Sequence, residues 1–383
     1  MLKTLKDADF SNKKVVLRVD YNVPIENGVV QNTKRIDSTL PTIKYLVERG
    51  CKIILISHLG RPKGRDSKYS LLPVKKVLEE KLNKKISFFD ELNDGIIEKI
   101  DQMKEGDIGL LENIRFYPEE ENNDESFSKK LAGMGDIFVS DAFASLHRKH
   151  SSTVGIARFL PSYAGFLVEK EVNEINSILN NKEHPFTLVL GGAKVSDKIK
   201  ILNNLAPKVD NILIGGAMAN NFIAANGYNV GCSKIDSKEM AENILSKMSE
   251  KIKIPVDAVV ADQKELKNIR IADIKNIKDN EGIYDIGPRT ISYFSEVIKK
   301  SRMLVMNGPL GMIENPNFKK GTKDIISYIG QANGIKIAGG GETITAIEEM
   351  NLEKNFTYIS TGGGAFLEML EGKTLPGIEV LLK

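Results

Sequence analysis

The sequence predicts an α/β fold in two domains, each built on a mostly parallel sheet. Three observations lead there. The chain has 383 residues, more than one ordinary core organises. Short apolar runs alternate with longer amphipathic ones along its whole length, and repeated βα alternation gives parallel sheets covered on both faces. The residues that follow the apolar runs differ between the halves: charged in the first, glycine-rich in the second.

The first run, Lys14–Val19, carries β-branched Val15, Val16 and Val19 and is apolar enough to be buried on both faces. Its carboxyl end delivers Asp20, Tyr21, Asn22 and Pro24 into a turn, where open α/β sheets bind ligands. Further strands are expected at Lys52–Ser57, Ile108–Leu111 and Asp136–Ser140. The second half offers Phe186–Leu190, Asn211–Ile214, Asp257–Val260, Leu304–Met306, Ile335–Ala338 and Phe356–Ser360. Helical spacing marks Pro41–Arg49, Pro73–Leu82 and Asp197–Leu205. Glu169–Asn181 places Val172, Ile175, Ile178 and Leu179 on one face and reads as a single helix between the domains.

Composition narrows the function classes. Hydrophobic residues make up 41% and charged residues 27%, as in soluble globular proteins. No run approaches the roughly 20 apolar residues of a membrane span, and Met1-Leu2-Lys3 leads into polar residues, so no secretory signal is expected. Cys51 and Cys232 are far apart in sequence and read as reduced thiols in a cytoplasmic protein. The net charge of +3 says little. Its distribution says more, because Arg18, Arg35, Arg49, Arg61, Arg65, Arg115, Arg148 and Arg158 precede residue 170, as do His58, His147 and His150. These arginines are spread one per motif, unlike the basic run of a nucleic-acid binder. Planar, bidentate recognition of carboxylate or phosphate is the better use for them.

The strand ends supply the motifs. Ser57-His58-Leu59-Gly60-Arg61-Pro62 can turn His58 and Arg61 toward one anion. Arg115 leaves the next strand in Leu111–Phe116, and Arg148 follows Asp141 within His147-Arg148-Lys149-His150. A zinc site at His147 and His150 is disfavoured, because no cysteine or third histidine is near. In the second half, Gly191-Gly192-Ala193-Lys194-Val195-Ser196-Asp197-Lys198 follows a strand and is expected to open a helix. Glycines there allow close approach, a helix N-terminus favours anions, and Lys194 and Lys198 would stand one turn apart. No Walker A spacing occurs in the chain. Asn307–Glu314 again follows a strand, with Glu314 a candidate acceptor for ribose hydroxyls. Gly339–Thr343 and Ser360–Ala365 offer consecutive glycines whose amides can form an anion nest. A dinucleotide-dependent dehydrogenase would need G-x-G-x-x-G after the first strand, where Asp20-Tyr21-Asn22 stands instead.

Taken in order, these segments resemble phosphoglycerate kinases along the whole chain, from Arg18-Val19-Asp20-Tyr21-Asn22-Val23-Pro24 to Leu375-Pro376-Gly377. The resemblance implies two Rossmann-like domains joined by an interdomain helix, with a cleft between them. It implies a 3-phosphoglycerate domain of residues 1–168 plus about 367–383, a connecting helix at 169–181, and a nucleotide domain of 182–366. The implied reaction is in-line phosphoryl transfer from 1,3-bisphosphoglycerate to Mg-ADP, giving 3-phosphoglycerate and ATP. Asp20, Tyr21, Asn22, Arg35, His58, Leu59, Gly60, Arg61, Arg115 and Arg148 would hold the glycerate. Gly192, Lys194, Lys198, Asn307, Glu314, Gly340, Gly341, Glu342 and Thr343 would hold the nucleotide. Arg35, Lys194, Gly341 and Gly364 would serve the transferring phosphoryl group, and Glu342 would reach Mg²⁺, with Mn²⁺ as a substitute. A cytoplasmic monomer that closes about a hinge is expected. Three positions depart from the family pattern: Glu342 where Asp is usual, Ala144-Ser145-Leu146 where Gly-Thr-Ala is common, and Ala217 where a third glycine is usual. The alternative they leave open is a catalytically impaired homologue that serves as a binding or scaffold protein.

Overall fold

Strand β1 (Lys14–Val19) is buried along nearly its whole length, as its β-branched and apolar residues favour. In the computed structural model, which describes residues 1–93, 95–263 and 265–383, it lies inside a sheet. The chain divides into two units, Met1–Glu174 with Thr374–Lys383, and Ile175–Lys373.

The first unit contains β1, a short hairpin of β2 (Ile25–Glu26) and β3 (Val29–Val30), then β4 (Lys52–Ile56), β5 (Ile86–Phe89), β6 (Ile108–Leu111), β7 (Ile137–Asp141) and β8 (Ser162–Ala164). Its helices are α1 (Lys34–Val47), α2 (Leu72–Leu82), α3 (Ile96–Asp101), α4 (Pro118–Glu121) and α5 (Glu125–Ala132). The sheet runs β5-β6-β4-β1-β7-β8 and every pairing is parallel. Helix α1 starts seven residues before the expected Pro41. Ile36, Thr39, Ile43 and Leu46 bury one continuous face, and exposed Pro41 is carried inside it despite the hydrogen bond it forfeits.

Helix α6 (Phe166–Leu179) begins in this unit, three residues ahead of the expected Glu169. Its first turn is held by β7: Asp141 Oδ1 accepts from Leu167 N at 2.9 Å, while Phe166 N donates to Thr42 Oγ1 at 3.0 Å. The last ten residues also belong to this unit, where Lys3 N donates to Leu381 O at 2.7 Å and Gly377 N to Leu146 O at 2.9 Å.

The second unit contains β9 (Phe186–Leu190), β10 (Asn211–Ile214), β11 (Ile252–Lys253), β12 (Asp257–Asp262), β13 (Arg270–Asp273), β14 (Glu281–Ile286), β15 (Met303–Asn307), β16 (Ile335–Gly339) and β17 (Tyr358–Ile359). Its helices are α7 (Ile199–Leu205), α8 (Ala219–Ala225), α9 (Lys238–Met248), α10 (Pro288–Lys300), α11 (Lys320–Gln331), α12 (Gly341–Glu349) and α13 (Gly364–Leu370). The main sheet runs β11-β10-β9-β15-β16-β17, again all parallel. The Asp257–Val260 segment is the exception to the expected βα alternation. It forms the centre of a separate antiparallel sheet, β13-β12-β14, with a register shift between Val259 and Val260. Its two partners carry mixed polar and apolar residues with no long apolar run, so the sequence did not advertise them.

In both parallel sheets the chain fills one side of a central strand, then crosses to the other side of that same strand. The second sheet builds strictly outward, whereas in the first β6 inserts between β4 and the edge strand β5. The reversal lies between β1 and β7 in one unit and between β9 and β15 in the other. Ligands bind beyond the carboxyl ends of the strands at such a point.

Candidate functional site

In the first unit the strand ends are tied into one hydrogen-bonded chain. Asp20, after β1, accepts from Arg35 Nη1 of α1 at 2.7 Å and from Asn22 N at 3.1 Å. Asn22 Oδ1 accepts from Gly60 N at 2.8 Å, and Gly60 O accepts from Arg115 Nη1 at 2.7 Å. Gly60 needs its positive φ of 64° and its missing side chain, since a Cβ would strike the Tyr69 ring. Tyr21 and Leu59 are core residues. The Tyr21 hydroxyl lies 3.2 Å from Thr39 Oγ1, and the Asn113 side chain clamps both the N–H and the C=O of Leu59. Both side chains are buried, and both backbone N–H groups are already spent, Tyr21 N on Ser57 Oγ at 2.8 Å and Leu59 N on Asn113. Arg61 is exposed beside Gly60.

Six residues outside the expected set complete this face. Arg18 lies within β1 yet is 1% exposed. Its Nε donates to Ser152 Oγ at 2.8 Å and its Nη2 lies 3.1 Å from His58 Nδ1. Ser152 in turn donates to buried Glu120 through its N at 3.0 Å and Oγ at 2.6 Å. Burial pushes the Glu120 carboxyl up, and Arg18 opposes this. His150 Nδ1 stands 3.7 Å from the same carboxylate, and Arg148 Nε donates to His147 Nε2 at 3.2 Å. Asn113 is the sixth, through its hold on Leu59. One signal was available for Arg18: a charged side chain inside a strand buried on both faces demands a partner.

The electrostatics follow from crowding. Burial, then Arg18, Arg115, Arg148 and Arg35, pull His58 well below the usual histidine range. Burial first and the Arg148 charge second bring Arg115 down to about 10, while Glu121, 3.2 Å from its Nε, opposes them. Cations held this close to one another have a standing use for an anion.

In the second unit the strand ends are joined mainly by backbone. Gly191 N donates to Asn307 O at 3.0 Å, Gly192 N to Pro309 O at 2.9 Å, and Gly216 N to Leu310 O at 2.9 Å. A Cβ at Gly191 would strike Pro309 O, and one at Gly308 would strike Gly191 O. These glycines let three loops interlock, a packing role the sequence could not separate from phosphate approach. Gly192 and Gly341 instead face open space.

Lys194 and Lys198 are not on one helix. Helix α7 starts at Ile199, because the preceding loop is pinned by Asp236, which accepts from Val195 N and Ser196 N at 3.1 Å each. Lys194 is exposed on that loop. Lys198 donates to Asn307 Oδ1, and Asn307 Nδ2 reaches Gly339 O at 2.8 Å. Burial lowers the Lys198 pKa, with Asp197, Glu342 and Glu371 pulling the other way. Thr343 spends its hydroxyl inside the protein, accepting from Gly308 N at 2.9 Å. Gly341 and Glu342 are exposed in the first turn of α12, Gly340 precedes it with φ of 95°, Gly364 opens α13, and Glu314 is exposed on a turn. First-turn amides have no partner within their helix and favour anions.

Among the described residues no three His, Cys, Asp or Glu side chains form a group able to hold a metal ion. One exposed carboxylate, Glu342, stands at the glycine-rich turn. That donor set fits Mg²⁺, which is held by one or two carboxylates together with substrate phosphates, and does not fit an all-protein cage.

The two faces define a class, an α/β protein equipped for anionic, phosphate-bearing ligands. Comparison with known proteins makes it particular. A family model described as phosphoglycerate kinase matches residues 5–373. The chain is 46% identical to the phosphoglycerate kinase of Finegoldia magna over 99% of its own length and 98% of that protein. It is 48% identical to that of Dictyoglomus turgidum, over 98% and 97%. The solved phosphoglycerate kinase of Coxiella burnetii superimposes with a TM-score of 0.90 at 36% identity, covering 100% of this chain and 99% of that one. The chain belongs to the phosphoglycerate kinase family. It is a phosphotransferase, and its activity is the glycolytic phosphoryl transfer of that family.

Proposed function

We propose that the first unit holds 3-phosphoglycerate or 1,3-bisphosphoglycerate and the second holds ADP or ATP, with reversible in-line transfer between them. The observation that carries this reading is the bonded chain Arg35–Asp20–Asn22–Gly60–Arg115, which sets two guanidinium groups around strand ends also bearing His58. Asp20 and Asn22 bind the hydroxyl and carboxyl region of the glycerate. Arg35, His58, Arg61, Arg115 and Arg148 surround its anionic groups. Lys194 meets the transferring phosphoryl group, Lys198 the nucleotide phosphates, and Glu314 the ribose. Gly341 and Gly364 offer it backbone N–H groups. Residues 340–343 receive phosphate, and Glu342 holds Mg²⁺, which supplies charge neutralisation on the nucleotide when bound.

An acyl phosphate is already a good donor, so neither a covalent intermediate nor a strong base is needed. Catalysis is positioning and neutralisation of charge on the equatorial oxygens. Because the two substrates are held by different units, transfer requires hinge closure about α6, which also excludes water from the acyl phosphate. No helix among the described residues is long and apolar enough to cross a membrane, and the reading is of a cytoplasmic monomer. The impaired-homologue alternative has no support from the comparisons.

The test is 3-phosphoglycerate-dependent consumption of ATP, coupled to reduction of the bisphosphoglycerate product, with Mg²⁺ and then Mn²⁺. Turnover of tens per second is expected, in the ordinary range for enzymes. Folded protein that binds 3-phosphoglycerate without turnover with either metal overturns the reading.

A further inference from the structure

The contact between Arg18 and His58 fixes more than position. A guanidinium can donate hydrogen bonds and cannot accept them. His58 Nδ1, 3.1 Å from Arg18 Nη2, is therefore the acceptor. A neutral imidazole with an accepting Nδ1 carries its proton on Nε2. Protonation would set a new N–H against the guanidinium, beside Arg115, Arg148 and Arg35, the other charges that face this ring. Arg18 itself is immobilised, with Nε on Ser152 and Nη1 on Val19 O, and buried Glu120 supplies the counter-charge. His58 Nε2 makes no hydrogen bond to any described residue. Arg148 Nε and His147 Nε2 repeat the pattern, an arginine donating to a histidine that must accept.

We propose that Arg18 is a positioning residue that locks His58 as the neutral Nε2–H tautomer, so that His58 meets the substrate as a hydrogen-bond donor and not as a cation. The positive charge of this face then belongs entirely to its arginines. The inference rests on the reading of the first unit as the 3-phosphoglycerate site.

The measurement is long-range ¹H–¹⁵N correlation spectroscopy of the ¹⁵N-histidine protein, with His58 assigned from His58→Gln. The expected pattern is neutral Nε2–H, unchanged from pH 5.5 to 8, with the His58 signals shifting on addition of 3-phosphoglycerate. An Nδ1–H pattern, or titration within that window, overturns the proposal. A correct tautomer that 3-phosphoglycerate leaves unmoved overturns instead the placement of substrate at His58. Arg18→Met combined with Glu120→Gln removes donor and counter-charge together. His58 should then titrate inside the window, and KM for 3-phosphoglycerate should rise about tenfold with a smaller change in kcat, the scale of one charged hydrogen bond. Arg18→Lys keeps Glu120 paired and tests the same point in a milder form, because one ammonium cannot serve both Ser152 and His58. If His58 keeps its locked tautomer in both variants, Arg18 is not the positioning residue.

Discussion

Two parallel sheets that each reverse about a central strand end in opposite chemistry. In the first unit, β1, β4 and β6 end in Asp20, His58 and Arg115, and behind them lies a buried network of Arg18, Glu120 and Ser152, with half-buried His150 beside it. In the second unit, β9, β10 and β15 end in glycines whose amides and carbonyls bond to one another, with Asn307 as the main side-chain link. The first face is held by charge that must be paired before the ligand arrives. The second is held by close backbone packing that leaves a few groups, such as Gly192, Gly341 and Lys194, facing outward. A strand layout thus chooses where a ligand binds, and the residues just past the strands choose how.

Substitutions can break that contrast. The largest effect is expected at the charged groups proposed to meet the transferring phosphoryl. Arg35→Ala and Lys194→Ala should each lower kcat by about 10²–10³-fold, the scale of one stabilising donor. Arg35→Ala should also lower stability, because it strands Asp20, whereas Lys194→Ala should leave stability unchanged; steady-state rates and thermal unfolding check both.

Stability should separate the two kinds of glycine. Gly191→Ala drives a Cβ into Pro309 O and should cost about 2–4 kcal/mol, as overpacking and loss of a special site do. Gly341→Ala meets nothing within 4 Å. It should change stability by about 0.5 kcal/mol at most while weakening nucleotide binding, measurable by calorimetry. Equal destabilisation by the two would collapse the distinction between interlocking and outward-facing glycines.

Acid should act through the first unit. Burial, then Arg115, Arg18 and Arg148, depress His150 to about 3. Below an ordinary histidine pKa near 6.5 the unfolded chain binds a proton that the folded chain refuses. The stability this represents is present above pH 6.5 and lost as pH falls toward 3. His150→Gln should therefore show a smaller drop in Tm between pH 7 and pH 5 than the parent. Asp285 in the second unit has the opposite sign, since burial raises it to about 7. Its contribution is present below the unfolded value near 3.9 and lost as pH rises through 7.

The smallest effect is expected at the proposed metal position. Glu342→Asp shortens the side chain by about 1.5 Å and should leave turnover within about tenfold, because most Mg²⁺ ligands come from phosphate and water. A larger loss, with Mg²⁺ and Mn²⁺ alike, would mean that the turn has packed around the longer acid.

Much of the frame was legible. Lys14–Val19, Ile108–Leu111, Phe186–Leu190 and Asn211–Ile214 are strands at the expected residues, because a short, mostly apolar run between turn residues has little other use. Ile86–Phe89 and the two outer strands of the antiparallel sheet, β13 and β14, escaped because their polar and apolar residues mix as a half-exposed strand allows. The helix expected from Asp197 starts later because Asp236, some 40 residues on, holds the loop before it. Nothing local announces such a partner.

The sequence by itself determined the fold class, most strands of the two parallel sheets and which residue types follow them, since these follow from periodicity and from side chains next to one another in the chain. Only the tertiary structure decided which cations share a site, that Arg18 and Glu120 lie buried behind it, which glycines pack and which face outward, and which nitrogen of His58 carries the proton. Those are properties of residues tens of positions apart brought within 3 Å, where burial and charge act through space and not along the chain.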